Sequence, residues 1–139
     1  MFSLCNMIAV AGWVALIASP VAPKLADGVA GLIIPAMLAV AYSGLILASW
    51  FSAEGGFDSL DHVAALLRTR ELLLAGWLHY LAFDLFVGAW IVRAARVQSM
   101  PFLLVVPCLA LTFLFGPAGL LAFLALRAAL RPTAAAVTA

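Results

Sequence analysis

Two ionisable residues, His79 and Asp84, lie inside the apolar stretch that runs from Glu71 to Val92. An Asp at membrane depth costs about 2.5–3.5 kcal/mol on insertion scales, so such residues usually face a bundle interior or a cavity and serve a function. Imidazole and carboxyl groups transfer protons best when burial and neighbouring groups bring their pKa values close to neutral pH. The sequence therefore predicts an acid–base pair in a membrane pocket, with Glu71 near its mouth as a third candidate catalytic residue.

Helix geometry separates the two central side chains. At about 100° and 1.5 Å per residue, His79 and Asp84 are about 140° apart around the axis and roughly 7.5 Å apart along it. They are not an i, i+4 pair, so we expect them to bind different partners or to line two parts of one pocket between spans two, three and four. The alternative interpretation is that both are interhelical hydrogen-bonding groups without chemistry.

Aromatic and polar side chains near this stretch predict the walls of an apolar pocket. The candidate substrate-binding residues are Trp77, Tyr80, Phe83, Tyr42, Asn6 and Trp13. The aromatic residues among them are equally typical of an ordinary membrane-protein core. No HxxxH or ExxH pattern accompanies His79, and Cys5 and Cys108 form no CxxC motif. We therefore predict neither a metal site nor a cofactor.

The composition indicates the class of protein that must position these residues. Of the 139 residues, 68% are hydrophobic and 9% are charged, whereas a soluble domain is about half apolar and a quarter charged. The mean hydropathy of +1.23 likewise indicates an integral membrane protein. The net charge of +1 comes from scattered basic residues and gives no sign of nucleic-acid binding.

The order of apolar stretches and helix breakers predicts an all-α, four-transmembrane-helix bundle. The predicted spans are residues 2–19, 28–52, 71–92 and 101–126. Between spans two and three, a polar connection predicts a short interfacial helix capped by Asp58 or Ser59. Pro35 predicts a kink in span two, and Gly116-Pro117 predicts a bend late in span four. The bundle forms one predicted domain over residues 1–131, followed by a disordered tail over 132–139.

Four spans place both chain ends on one side of the membrane. That side carries four basic residues, against three on the other. The two sets are Arg68, Arg70, Arg127 and Arg131 against Lys24, Arg93 and Arg96. Because cytoplasmic loops are enriched in Lys and Arg, this count predicts termini in the cytoplasm.

Two motifs point to a known family. The run Trp77-x-His79-(x)4-Asp84-Leu-Phe and the later Gly-Pro-Ala-Gly beginning at Gly116 resemble the abscisic-acid-deficient-four-like family, and Asn6 fits the family's first span. The similarity covers nearly the whole chain. Plant members are neoxanthin synthase proteins of the chloroplast. The resemblance implies a four-span protein that isomerises a xanthophyll epoxide, with a general acid at the epoxide oxygen, a general base at a polyene carbon and no redox cofactor.

No stretch of the given sequence resembles the transit peptide of the plant members, so we expect a bacterial protein of the inner membrane. There the ligand would be a carotenoid or another apolar isoprenoid-like lipid. A second function compatible with the residues is non-catalytic: the protein would bind a carotenoid or lipid, or support a partner enzyme. The sequence is also compatible with a homo-oligomer. A transporter would need an aqueous path, and four short spans with few polar groups offer little of one.

Overall fold

The structure, a computed structural model, describes residues 1–130 and is helical throughout that range apart from short connections. This confirms the all-α prediction, whereas the predicted tail 132–139 lies outside the described residues. The helices are α1 Phe2–Ile17, α2 Pro23–Gly28, a π-helical turn Val29–Ile33, α3 Ile34–Ser49, a 3-10 turn Trp50–Ser52, α4 Leu60–Leu66, α5 Arg70–Val97, α6 Phe102–Phe115 and α7 Pro117–Ala129.

Two helices are long and apolar enough to cross a membrane. One is the continuous rod Pro23–Ser52, which contains α2 and α3, with 30 residues, and the other is α5 with 28 residues. The helices α1, α6 and α7 are apolar but shorter. By length alone, the described residues therefore provide two candidate spans where the sequence predicted four.

Helix α5 lies at the centre and contacts α1, α3, α6 and α7. Helix α1 runs in the same direction as α5 and packs closely against it because glycines face bulky side chains. A Cβ added at Gly12 would lie 2.5 Å from Leu85, and one added at Gly88 would lie 2.8 Å from the Trp13 ring. Leu85 is fully buried in this contact.

The predicted kink at Pro35 takes the form of the π-helical turn just before it. Proline has no N–H, so the Gly31 carbonyl loses its usual helical donor and the ladder widens locally. Gly31 also makes room for the Arg93 guanidinium, which would lie 2.7 Å from an added Cβ. Nearby, Arg96 binds Asp27 at 2.7 Å and ties α2 to the carboxyl end of α5.

The predicted short helix between the two long helices is α4. Ser59 is its N-cap, because the Ser59 hydroxyl accepts a hydrogen bond of 3.1 Å from the backbone N–H of His62. The imidazole of His62 also binds Asp58 at 2.8 Å. Leu66 is the buried residue of α4. Its side chain lines a cavity between α3, α4 and α5.

The predicted fourth span is a helical hairpin, α6–α7, which turns at Gly116. A Cβ added at Gly119 would contact the backbone and hydroxyl of Thr112 and the carbonyl of Cys108. Residues seven and eleven apart in one continuous helix are roughly 10 Å and 16 Å apart along the axis. These contacts therefore require α7 to fold back along α6.

The direction of α7 corrects the predicted topology. Gly116 lies beside Asp84, at the middle of α5, and Phe123 packs edge-on against Trp90 with 5.6 Å between ring centroids. Helix α7 therefore runs toward the carboxyl end of α5. Met1 lies near the amino end of α5, so Met1 and the last described residue, Leu130, lie toward opposite ends of that helix. The Gly-Pro pair reverses the chain instead of bending it.

Candidate functional site

Asp84 lies at the middle of α5 with its carboxylate against the turn of the hairpin. A Cβ added at Gly116 would lie 2.7 Å from Oδ1 and 3.1 Å from Oδ2 of Asp84. Oδ2 is buried and has no hydrogen-bond partner among the described residues. Leaving a buried acceptor unpaired costs about 1–3 kcal/mol. Buried unsatisfied groups are rare, and a catalytic role is one established reason for keeping one.

Tyr80 lies one helical turn before Asp84 and faces the same hairpin turn. Its hydroxyl donates a hydrogen bond of 3.0 Å to the backbone carbonyl of Phe113. In a continuous helix that carbonyl would accept from residue 117, but Pro117 has no N–H. Because Pro117 cannot donate, the Phe113 carbonyl is left without its helical partner, and the Tyr80 hydroxyl donates to it instead. The phenol also lies beside the Asp84 carboxylate.

His79 faces a different side of α5. Its ring stacks on Phe83 at 4.5 Å and lies 5.8 Å from Tyr42 of α3. It lines a cavity of about 250 Å³ between α3, α4 and α5, together with Trp50 and Leu66. No residue of α6 or α7 lines this cavity, and neither does Asp84. His79 and the Asp84 carboxylate therefore pack against different helices, although the two groups remain close enough to interact electrostatically.

The remaining predicted substrate-binding residues lie where α1 meets α5 and α6. The Trp77 indole N–H donates a 3.2 Å hydrogen bond to the side-chain oxygen of Asn6. The Trp77 ring is 5.3 Å from that of Tyr80. Trp13 packs edge-on against Phe113 at 5.4 Å. These residues form a connected polar and aromatic surface that ends at the Tyr80 hydroxyl.

The amino half of α5 is open on one face, because the hairpin reaches only to the level of Tyr80 and Asp84. Trp77 is 39% exposed and Phe83 is 58% exposed. A groove of about 890 Å³ begins there, lined by residues that include Arg70, Trp77 and Gly76. Gly76 also lines the cavity beside His79, so the two spaces are adjacent. The lining of the groove ends at Trp77, about one helical turn before Tyr80.

Glu71 does not join the central groups. It is exposed in the first turn of α5, and about 12 Å of helix separate it from His79. Within residues 1–130, no three His, Cys, Asp or Glu side chains are grouped closely enough to hold a metal ion.

Sequence reasoning missed Phe113 and the close contact of Gly116 with Asp84. A signal for the first was present: a proline four residues after Phe113 removes the donor to its carbonyl. No sequence signal identifies the second, because it depends on how α6 docks on α5.

The sequence profile of the family described as ABA DEFICIENT 4-like, or ABA4-like, matches residues 1–123. That range includes Asn6, Trp77, Asp84 and the whole Gly116–Gly119 turn. Searches of curated proteins and of solved structures found no match.

Proposed function

The chain belongs to the ABA4-like family, and we propose that it is a membrane isomerase acting on a xanthophyll-type carotenoid or a similar apolar isoprenoid. The observation that carries the proposal is the partnerless buried oxygen of Asp84 at the middle of a helix of membrane-spanning length. Intramembrane carboxylates are costly and usually functional. The apolar groove that ends at Trp77, about two helical turns before Asp84, suits a long apolar ligand.

In the proposed membrane arrangement, α1, the rod Pro23–Ser52 and α5 cross the bilayer. Helix α6 has 14 residues, about 21 Å of length, which is less than the roughly 30 Å of a hydrocarbon core. The α6–α7 hairpin would therefore enter from the carboxyl end of α5, turn near the middle and return. Such breaks at membrane depth are tolerated where protein surrounds them, and here α5 supplies that cover.

The hairpin also changes the charge balance, because it moves Arg127 to the carboxyl end of α5. Among the described residues, the amino end of α5 then has two basic residues and the carboxyl end has four. The two sets are Arg68 and Arg70 against Lys24, Arg93, Arg96 and Arg127. By the positive-inside rule, we infer that the carboxyl end of α5 faces the cytoplasm and Met1 faces the opposite side.

The proposed reaction opens an epoxide to an alcohol and removes a proton from a neighbouring polyene carbon. Substrate and product have the same atoms and the same oxidation level, so the reaction balances without an added redox partner. Asp84 is placed to act as the base, since its unpaired oxygen has free acceptor capacity. Trp77, which lines the groove on the amino side of Tyr80, would contact the apolar body of the ligand.

Pigment analysis tests this function directly. The protein would be expressed in cells that make an epoxide-bearing xanthophyll. The extracted pigments would be separated by chromatography, and their masses would be determined by mass spectrometry. We expect a new pigment of unchanged mass with the wild type, and none with Asp84→Asn. Asp58→Asn is the matched control, because Asp58 lies in the connection before α4 and binds His62.

Two other results would contradict the isomerase. If the wild-type protein is folded and the pigments are unaltered, the protein does not catalyse the proposed isomerisation. If the same unaltered pigment then co-purified with the protein, the non-catalytic binding function would replace it.

A further inference from the structure

The surroundings of Asp84 include a second side chain that can donate a proton, Tyr80. Tyr80 and Asp84 are four residues apart, so they lie on one face of α5 about 6 Å apart along the axis. Both face the hairpin turn: Tyr80 through its hydrogen bond to the Phe113 carbonyl, and Asp84 through its contact with Gly116. His79 instead stacks on Phe83 on the side of α3.

We propose that Tyr80, and not His79, is the general acid that works with Asp84, an assignment that rests on the proposed isomerase function. A general acid and base that serve one small reacting group must both be within hydrogen-bonding reach of it. Tyr80 and Asp84 meet that condition around one site at the hairpin turn. His79 packs against Tyr42 of α3 and against Phe83, away from that turn.

The adjacency of the pair completes the proton balance. The Tyr80 hydroxyl gives its proton to the epoxide oxygen as the C–O bond breaks. Asp84 takes the proton from the neighbouring polyene carbon, and the C–H electron pair becomes a new π bond. The displaced polyene electrons shift to the carbon that loses the oxygen. The proton then passes from the Asp84 carboxyl to the Tyr80 phenolate, which restores both groups without an external proton donor.

The assignment also gives the hairpin a role in catalysis. The Phe113 carbonyl, freed by Pro117, holds the Tyr80 hydroxyl at the turn before the substrate arrives. A phenol is a strong donor that can change its acceptor by rotating its O–H. An epoxide oxygen at the turn would take the place of the Phe113 carbonyl as the acceptor.

The test compares Tyr80→Phe with His79→Gln in membranes that contain the epoxide xanthophyll. General acids contribute about 10²–10⁴-fold to rate. We therefore expect Tyr80→Phe to lower kcat at least 100-fold with little change in KM. We expect His79→Gln to act mainly on KM, since His79 lines the adjacent cavity. His62→Gln, in the exposed α4, serves as the unchanged control.

A second measurement separates chemistry from structure, because Tyr80→Phe also removes the bond to α6. Replacing Tyr80 by a fluorinated tyrosine, whose phenol is more acidic, keeps that bond. An acid must be protonated, so activity falls as pH rises through the phenol pKa. The fluorinated protein should lose activity at a lower pH than the wild type.

The outcomes are distinguishable. A wild-type protein that converts no substrate would overturn both the isomerase function and the role of Tyr80. An active wild type would overturn the assignment alone if Tyr80→Phe kept its kcat, if His79→Gln lost kcat as strongly, or if the fluorinated protein kept the wild-type pH profile.

Discussion

Replacing Gly116 by alanine perturbs the hairpin turn and the Asp84 site together. Gly116 has φ 46°, a conformation that costs a residue with a Cβ about 1–3 kcal/mol. The added Cβ would also lie 2.7 Å from Oδ1 of Asp84, so the carboxylate has to move. We expect Gly116→Ala to lower the free energy of unfolding by about 1–3 kcal/mol and to reduce pigment conversion.

The matched control is Gly44→Ala in the middle of α3. A Cβ at Gly44 meets nothing within 4 Å, and the backbone there is helical. Alanine is favoured over glycine in a helix interior by up to about 1 kcal/mol. The two variants should therefore differ in unfolding free energy by about 1–4 kcal/mol, with Gly44→Ala at or above the wild type.

The assay is reversible unfolding in detergent, followed by circular dichroism, with pigment conversion measured on the same preparations. If Gly116→Ala had the same unfolding free energy as Gly44→Ala and converted pigment normally, the result would contradict both the positive φ at Gly116 and its close contact with Asp84. If Gly116→Ala lost conversion while its stability matched that of Gly44→Ala, the turn would position Asp84 without carrying strain.

Two further predictions concern the hairpin. Gly119→Ala should destabilise more than Gly116→Ala, because its Cβ meets the Thr112 backbone, which cannot rotate away as the Asp84 side chain can; equal unfolding free energies would argue against the close crossing of α6 and α7. In sealed vesicles, single cysteines introduced at Ser3 and at Ala128 should react with an impermeant thiol reagent from opposite sides, because α7 returns along α5. Reaction of both from the same side would restore the four-span topology.

Helix geometry explains which parts of the site could be predicted from the sequence. The angular separation of His79 and Asp84 depends only on their spacing within one helix, and the structure gives them different neighbours as that spacing requires. The helix ends at Ser59 and Gly116 were also predictable, because a hydroxyl cap and a Gly-Pro pair act on their own local backbone.

The direction in which the chain leaves a break was not predictable in the same way. Gly116-Pro117 terminates α6 whatever follows, but the reversal depends on Gly119 fitting against Thr112 and on Phe123 packing against Trp90. Those contacts join residues that are far apart in the sequence or on different helices. The docking of α6 also determines which face of α5 meets the turn, and therefore which side chains lie beside Asp84.

The reversal has a direct consequence for how a ligand could reach Asp84. Beyond the turn, α7 covers the carboxyl half of α5, where Phe123 is fully buried against Trp90. Before the turn, nothing in the described chain covers Trp77 and Phe83 to the same degree. The 15 residues from Arg70 to Asp84 extend over about 21 Å of helix, and the hairpin closes the inner end of this segment. A long apolar ligand lying along this segment from the bilayer would therefore have its inner end held at Tyr80 and Asp84. A straight fourth helix would cover the same segment and leave Asp84 without an approach from the membrane.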